Sequence, residues 1–577
     1  MKKIYTFGTA LLAVISLVGC NNILDKGPLD TFSNDNFWTS ENNVSSYANT
    51  FYNNFKGYGN GGGSGDFYFN ALNDNQVGSS YAEWTYTSVP ATSGNWSDNW
   101  TEVRRANIMI EKVPTISAMT SATKASWIGF ARLMRAWTYY HLVRMYGNIP
   151  WVNKSLGIND DGYLYAARTD RDVVMDSVYN DLNYACANMK SNTFRTTLNQ
   201  AVAYAMTAEI CLYEGTYCKY RTLADNGKAA DATRANTFLT YAKNACSAIM
   251  SNNNYSLNGS YQGNYNSSDL SSNKEMIFYK AYKQSVLTHS LVDYTCSSTQ
   301  QSGMSKSAFE SYLFTDGKPL SLTSCSTNDA AFELDGTKIV GGKTVATKTM
   351  DLSKVLSVRD KRLSVTIDTA LCYTGQTFQR YGRGMSMTAS SGYSVAKYDN
   401  PSIDDNYRGT TSSNFTNAPL FWLSVIYLEY AEACAELGSV TQNDLDISIN
   451  LIKTRAGLPS LSVNVGFSDP ANNMSVSDLI WEVRRERRCE LMFDNNFRYW
   501  DLVRWHQLDK LDSSNFPNIM LGANIVNDKW SSSVIRTNNY INGSRGKTRT
   551  YDKKYYFYPI PSGQLTLNPQ LGQNSGW

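Results

Sequence analysis

Side chains able to do chemistry are thinly spread along this chain. The only histidines are His141, His289 and His506, far apart in sequence, so a zinc site or a histidine-based catalytic triad has little raw material. Ten cysteines include no CxxC pair. With Cys20 set aside nine remain, an odd number; Cys186, Cys211, Cys246, Cys434 and Cys489 fall in helical patterns, where a thiol packs as a small apolar group. Cys20 is different, because it closes the tetrapeptide Leu17-Val18-Gly19-Cys20 at the end of the apolar run from Leu11 to Val18, with Lys2 and Lys3 in front. A thiol so placed is a candidate for covalent modification.

The basic start and short apolar core read as a secretory signal, since the run is well under the roughly 20 residues that cross a bilayer. Leu-Val-Gly-Cys resembles the bacterial lipobox, which implies that residues 1–19 are a lipoprotein signal peptide. The mature chain then begins at Cys20, with acyl chains on its sulfur and its new amino group. Each buried methylene adds about 0.8 kcal/mol, so two or more chains hold a protein on a membrane that it does not span. No later apolar run is long enough to span one. The 53 basic and 50 acidic residues give +3, or +1 once Lys2 and Lys3 leave with the signal, and nothing in that balance recommends nucleic acid as a partner. Near-neutrality suits an uncharged ligand.

The elements that would position a site are mostly helical. Val44, Tyr47, Phe51 and Phe55 form a first helical pattern that stops at Gly57, and Val103, Ala106, Asn107 and Ile110 form a second from Thr101 that Pro114 ends. Phe130, Leu133, Met134, Trp137 and Tyr140 make one buried stripe of a helix closed at Gly147. Val173, Val174, Val178 and Leu182 follow. Next comes a pair, from an Asn199 cap through Ala201, Ala205, Ala208 and Leu212 to Gly215, and through Phe238, Ala242, Ala245 and Ile249. Alanines at this spacing let helices approach as they do in tetratricopeptide-like pairs. A second pair runs from Trp422 to Gly438 and from Ile447 to Ala456, closed by Gly457-Leu458-Pro459. Between the pairs, about 252–419 is rich in Ser, Thr, Gly, Asn and Tyr and reads as an inserted, mostly irregular lobe. The reading is therefore a mostly α protein of tetratricopeptide-like helix pairs, scaffold at about 40–57, 101–250 and 420–510, with a loop-rich lobe at about 58–100 and 252–419.

The helix after Ser475, with Asp478 at capping-box spacing, carries Arg484-Arg485-Glu486-Arg487-Arg488. Glu482, Glu486 and Glu490 lie at i, i+4 and i+8, so its charges can pair along the helix and with neighbours, and it reads as structural rather than nucleic-acid-binding. Together with Arg498 and Asp501-Leu502-Val503-Arg504-Trp505 this block resembles the SusD/RagB family of surface nutrient-binding lipoproteins. Arg135-Ala136-Trp137-Thr138-Tyr139-Tyr140, Tyr146-Gly147-Asn148-Ile149-Pro150, Arg455-Ala456-Gly457-Leu458-Pro459 and Tyr558-Pro559-Ile560-Pro561 add to it, in the family's order and over nearly the whole chain. One departure stands out: Phe493-Asp494 where the family tends to place Glu, which puts one helix-packing ion pair in doubt.

The resemblance implies a single domain over 20–577 with four tetratricopeptide-like pairs, no cofactor and no catalytic residue. The protein would be held in the outer membrane at Cys20, exposed at the surface, as a lid on a SusC-like TonB-dependent transporter to which it hands an oligosaccharide. A peptide ligand on the same scaffold is the alternative, and a secreted glycoside hydrolase with paired carboxylates a further one. For a sugar, an aromatic platform must stand beside hydrogen-bonding side chains. The segment from Asp66 to Trp100 concentrates both, and nominates Trp84 and Trp96 as platforms, Asp66 and Asp74 as hydroxyl acceptors, and Tyr294 from the second lobe, where Tyr282 and His289 also lie. Against this, Trp96 and Trp100 could pack on the Thr101 helix, and Asp74 could serve an Asx turn with Asn73 and Asn75.

Overall fold

A computed structural model describes residues 37–67, 72–78, 83–296, 303–325, 334–340, 343–349, 352–373, 389–525 and 534–577. Cys20 and the signal segment lie outside them. The principal helices are α1 (Glu41–Ala48), α2 (Gly94–Lys112), α3 (Ser121–Tyr146), α4 (Arg171–Asn188), α5 (Gln200–Tyr220), α6 (Ala232–Met250), α7 (Leu423–Glu436), α8 (Ile449–Ala456), α9 (Asp478–Glu490) and α10 (Phe497–Arg504). Local chemistry sets their ends. The side chains of Thr120, Asp170, Asn199 and Asp231 each accept a backbone N–H of the helix they cap, and Gly147 and Gly457 close α3 and α8 at positive φ.

From α2 to α7 each helix packs on the next, and α7 continues onto α9. The mostly α, helix-pair architecture expected from the sequence is what the chain forms. Although some 170 residues separate α6 from α7, the two are neighbours, because the insertion leaves the stack on β1 (Met276–Lys280) and returns on β4 (Ala418–Trp422), paired antiparallel. Gly215 shows how closely helices approach: α5 runs five residues past it, and a Cβ there would stand 2.7 Å from Leu239 Cγ and 2.9 Å from Leu239 N on α6. The insertion carries its own core of tyrosines and aliphatics around Tyr265, Phe309 and Tyr398, which Tyr58 joins from the N-terminal segment, and a regular hairpin of β2 (Leu334–Val340) and β3 (Lys343–Thr349).

The arginine-rich helix α9 joins lobe and stack. Its cap is Ser477, not Ser475, whose φ is positive. Its charges are buried and reach mostly across to other elements: Arg362 of the lobe meets Glu486 at 2.5 Å and Glu490 at 2.9 Å, Arg484 meets Glu436 of α7 at 3.0 Å, and Arg485 meets Asp469. The departure at Asp494 does not remove an ion pair. Lys397 Nζ lies 2.8 Å from both Asp494 oxygens, with both side chains wholly buried. Burial raises the Asp494 carboxyl to about 6, against the pull of Lys397.

Candidate functional site

A cleft of about 740 Å³ opens between the 53–56 segment, the first turns of α2, and the inner faces of α3, α5 and α10. Half-buried Trp137 of α3 and Trp500 of α10 line it, with Phe421 of β4 and Phe497. Trp137, His141 and Arg144 fall at i, i+4 and i+7, so one face of α3 presents a ring, an imidazole and a guanidinium together. The Arg144 guanidinium stands 4.3 Å from the Trp500 ring centroid and 4.7 Å from that of Tyr140. Its Nη2 lies 2.9 Å from His141 Nδ1. A guanidinium only donates, so Nδ1 accepts and the imidazole proton sits on Nε2. Burial, then Arg144, hold His141 well below the usual imidazole range, which keeps the ring neutral.

Seven buried polar atoms of residues lining this cleft have no hydrogen-bond partner among the described residues. Three are donors: His141 Nε2, Arg144 Nε and Arg487 Nη1. Four are acceptors: Asn495 Oδ1, Asn496 Oδ1 and both oxygens of Glu429. Left bare, each such group costs about 1–3 kcal/mol. Donors and acceptors intermingle, so a hydroxyl group, which does both, satisfies neighbours that a purely donating or accepting ligand cannot. Asn495 and Asn496 reach the cleft from a left-handed turn between α9 and α10, with φ of 43° and 55°. Glu209 adds a carboxylate whose Oε1 accepts from Tyr140 Oη at 3.4 Å, and burial raises its carboxyl.

Of the residues nominated from sequence, Asp66 alone lines this cleft. Its Oδ2 accepts the N–H groups of Lys56 and Gly57 at 3.1 and 3.2 Å, and burial raises its carboxyl against those contacts. The others are placed differently. Trp84 is 8% exposed, stacked on Tyr555 at 4.1 Å, with its indole N–H given to the Thr550 carbonyl, so its ring is committed to packing. Trp96 belongs to the first turn of α2, which begins seven residues before the expected start, and packs against Trp100 and Tyr146 in the core. Asp74 is buried in a bidentate pair with Arg498 at 2.7 and 2.8 Å, and Arg488 lies 3.2 Å away. Burial opposes ionisation there, but Arg488 and Arg498 hold the carboxyl far below its ordinary range. The Asx turn in this segment belongs to Asn73, which accepts from Asn75 N–H. Half-buried Tyr294 donates to the Gly62 carbonyl at 3.0 Å, and Tyr282 and His289 lie in the lobe's core.

The residues missed were Trp137, Trp500, His141, Arg144, Glu209 and Glu429. A signal was available for the two glutamates: each interrupts an apolar stretch of its helix, in Ala208-Glu209-Ile210 and Leu428-Glu429-Tyr430.

The profile described as the SusD family matches residues 247–577, and one described as starch-binding associating with outer membrane matches 24–212. A SusD-like protein of Bacteroides ovatus is 22% identical over 98% of this chain and 96% of its own. Among solved structures, a SusD-like carbohydrate binding protein of Bacteroides fragilis superposes with a TM-score of 0.66 at 21% identity, over 93% of this chain and 99% of that one. A laminarin binding SusD-like protein does so with a TM-score of 0.53 at 17% identity, over 93% and 100%.

Proposed function

The chain belongs to the SusD family, and from that premise we propose that it captures an oligosaccharide at the bacterial surface and holds it in the α3–α10 cleft without altering it. The observation that carries the reading is the cleft itself, where half-buried Trp137 and Trp500 share the lining with buried donors and acceptors that have no hydrogen-bond partner among the described residues. Sugar rings offer C–H faces to such indoles and hydroxyls to such polar atoms. The names of similar proteins, which mention starch, carbohydrate and laminarin, support the ligand class. A lipid on Cys20 would hold the protein at the outer membrane, and a TonB-dependent transporter beneath it would receive the sugar. Among the described residues no helix is long and apolar enough to cross a membrane.

Calorimetric titration of the mature protein with neutral hexasaccharides of glucose, and with peptides of similar length, tests the reading. Binding of at least one hexasaccharide is expected, with a loss of tenfold or more in Trp500→Ala. Binding of peptides alone, or steady release of reducing ends from a bound polysaccharide, would overturn it.

A further inference from the structure

The residues lining the cleft carry six carboxylates, Asp66, Asp98, Glu102, Glu209, Glu429 and Asp501, against three guanidiniums and Lys56. Arg487 Nε lies 3.1 and 2.9 Å from the Asp501 oxygens, and Arg504 lies 2.9 Å from Asp501 and 2.7 Å from Glu432. Arg144 is the cation acting most strongly on Glu209. Arg487 and Arg504 thus meet Asp501 and Glu432, whereas Glu429, 1% exposed, has neither oxygen bonded among the described residues.

We propose that the cleft prefers a saccharide bearing a protonated amine, a glucosamine-type unit, and that the Glu429 carboxylate receives the ammonium group. The inference rests on glycan capture in this cleft and specifies its ligand. An ammonium has three donors, enough for both Glu429 oxygens and one more acceptor of the cleft, where Asn495 Oδ1 and Asn496 Oδ1 also have no partner among the described residues, and the cleft's aromatic rings favour the same charge. Burial drives the Glu429 carboxyl well above the usual range, against the pull of Arg487. Burial therefore favours the protonated carboxyl in the empty site, and an arriving cation favours the carboxylate, with the proton passing to solvent.

Titration with the hexamers of glucosamine, N-acetylglucosamine and glucose at pH 6.5, in two buffers of different ionisation enthalpy, tests it. The glucosamine hexamer is expected to bind at least tenfold tighter than its acetylated counterpart, with release of up to one proton that the acetylated ligand does not cause. In Glu429→Gln the affinity ratio between the two ligands should fall to within twofold and the proton release should vanish. Equal affinities in the wild type, or a preference that survives in Glu429→Gln, would overturn the proposal while leaving glycan capture standing. Failure of all three hexamers would overturn both.

Discussion

Replacing Asp74 by Asn separates a structural carboxylate from a ligand-binding one. The side chain keeps its volume, but an NH₂ group now faces guanidiniums that only donate, and Arg498 and Arg488 lose the single charge they share. At an effective dielectric near 20, two unit charges about 4 Å apart interact by roughly 4 kcal/mol, and removing one partner of a buried pair costs about 3–5 kcal/mol. An unfolding entropy of about 2.1 cal/mol/K per residue, over a mature chain of 558 residues from Cys20, makes ΔS about 1.2 kcal/mol/K and the loss about 3–4 °C in Tm. Scanning calorimetry should read that shift, while oligosaccharide affinity well below the transition stays within twofold. A cycle with Arg498→Met should show strong coupling, with the double variant little worse than either single one. Because the Asp74 carboxyl is held below its unfolded value, its contribution is present above about pH 4 and fades as pH falls towards the folded value. A melting temperature within 1 °C of wild type, together with a tenfold loss of affinity, would refute the assignment.

Gly215→Ala gains about 1 kcal/mol of helix propensity but drives a methyl into Leu239, so a net loss of about 1–2 kcal/mol in urea unfolding is expected; net stabilisation would show that α5 and α6 can part. His289 is wholly buried and its pKa is lowered to about 3 by that burial, so the folded ring stays neutral while the unfolded one takes up a proton below about 6.5. Stability is therefore present at neutral pH and lost as pH falls; relative to His289→Gln, the wild type should lose about 3 kcal/mol between pH 7 and pH 4.5, and an equal pH slope in both would contradict this. Trp84→Ala should cost about 3–5 kcal/mol with affinity retained, the opposite of Trp500→Ala, which should keep its stability more nearly than its ligand.

The sequence showed the stack because its signals were local and periodic. Alanine spacing in α5 and α6, Asn199 as a cap and Gly147 and Gly457 as stops are backbone facts that neighbouring residues settle. Where the expectation failed, tertiary burial outweighed propensity. Ser93-Gly94-Asn95 and Ser97-Asp98-Asn99 read as loop, yet Trp96 and Trp100 stand one turn apart, and burying both against Tyr146 and Tyr139 is enough to wind α2 back to Gly94. That same winding takes Trp96 out of any ligand platform.

The site was less legible for a related reason. A concentration of aromatic and acidic residues in a loop marks equally a surface for ligands and a patch that closes over a core, and Trp84 and Asp74 belong to the second kind because Tyr555 and Arg498 come to them from more than 400 residues away. The cleft, by contrast, is lined from α3, α5, α7 and α10, none of which looks like a site alone. What marks α3 and α7 is polar atoms on a buried face, His141 Nε2, Arg144 Nε and both Glu429 oxygens, with no hydrogen-bond partner among the described residues. Glu429 is the sharpest case, since a helix packed on two neighbours bears the cost of a bare carboxyl on its inner face, and a ligand that meets that group turns the cost into affinity.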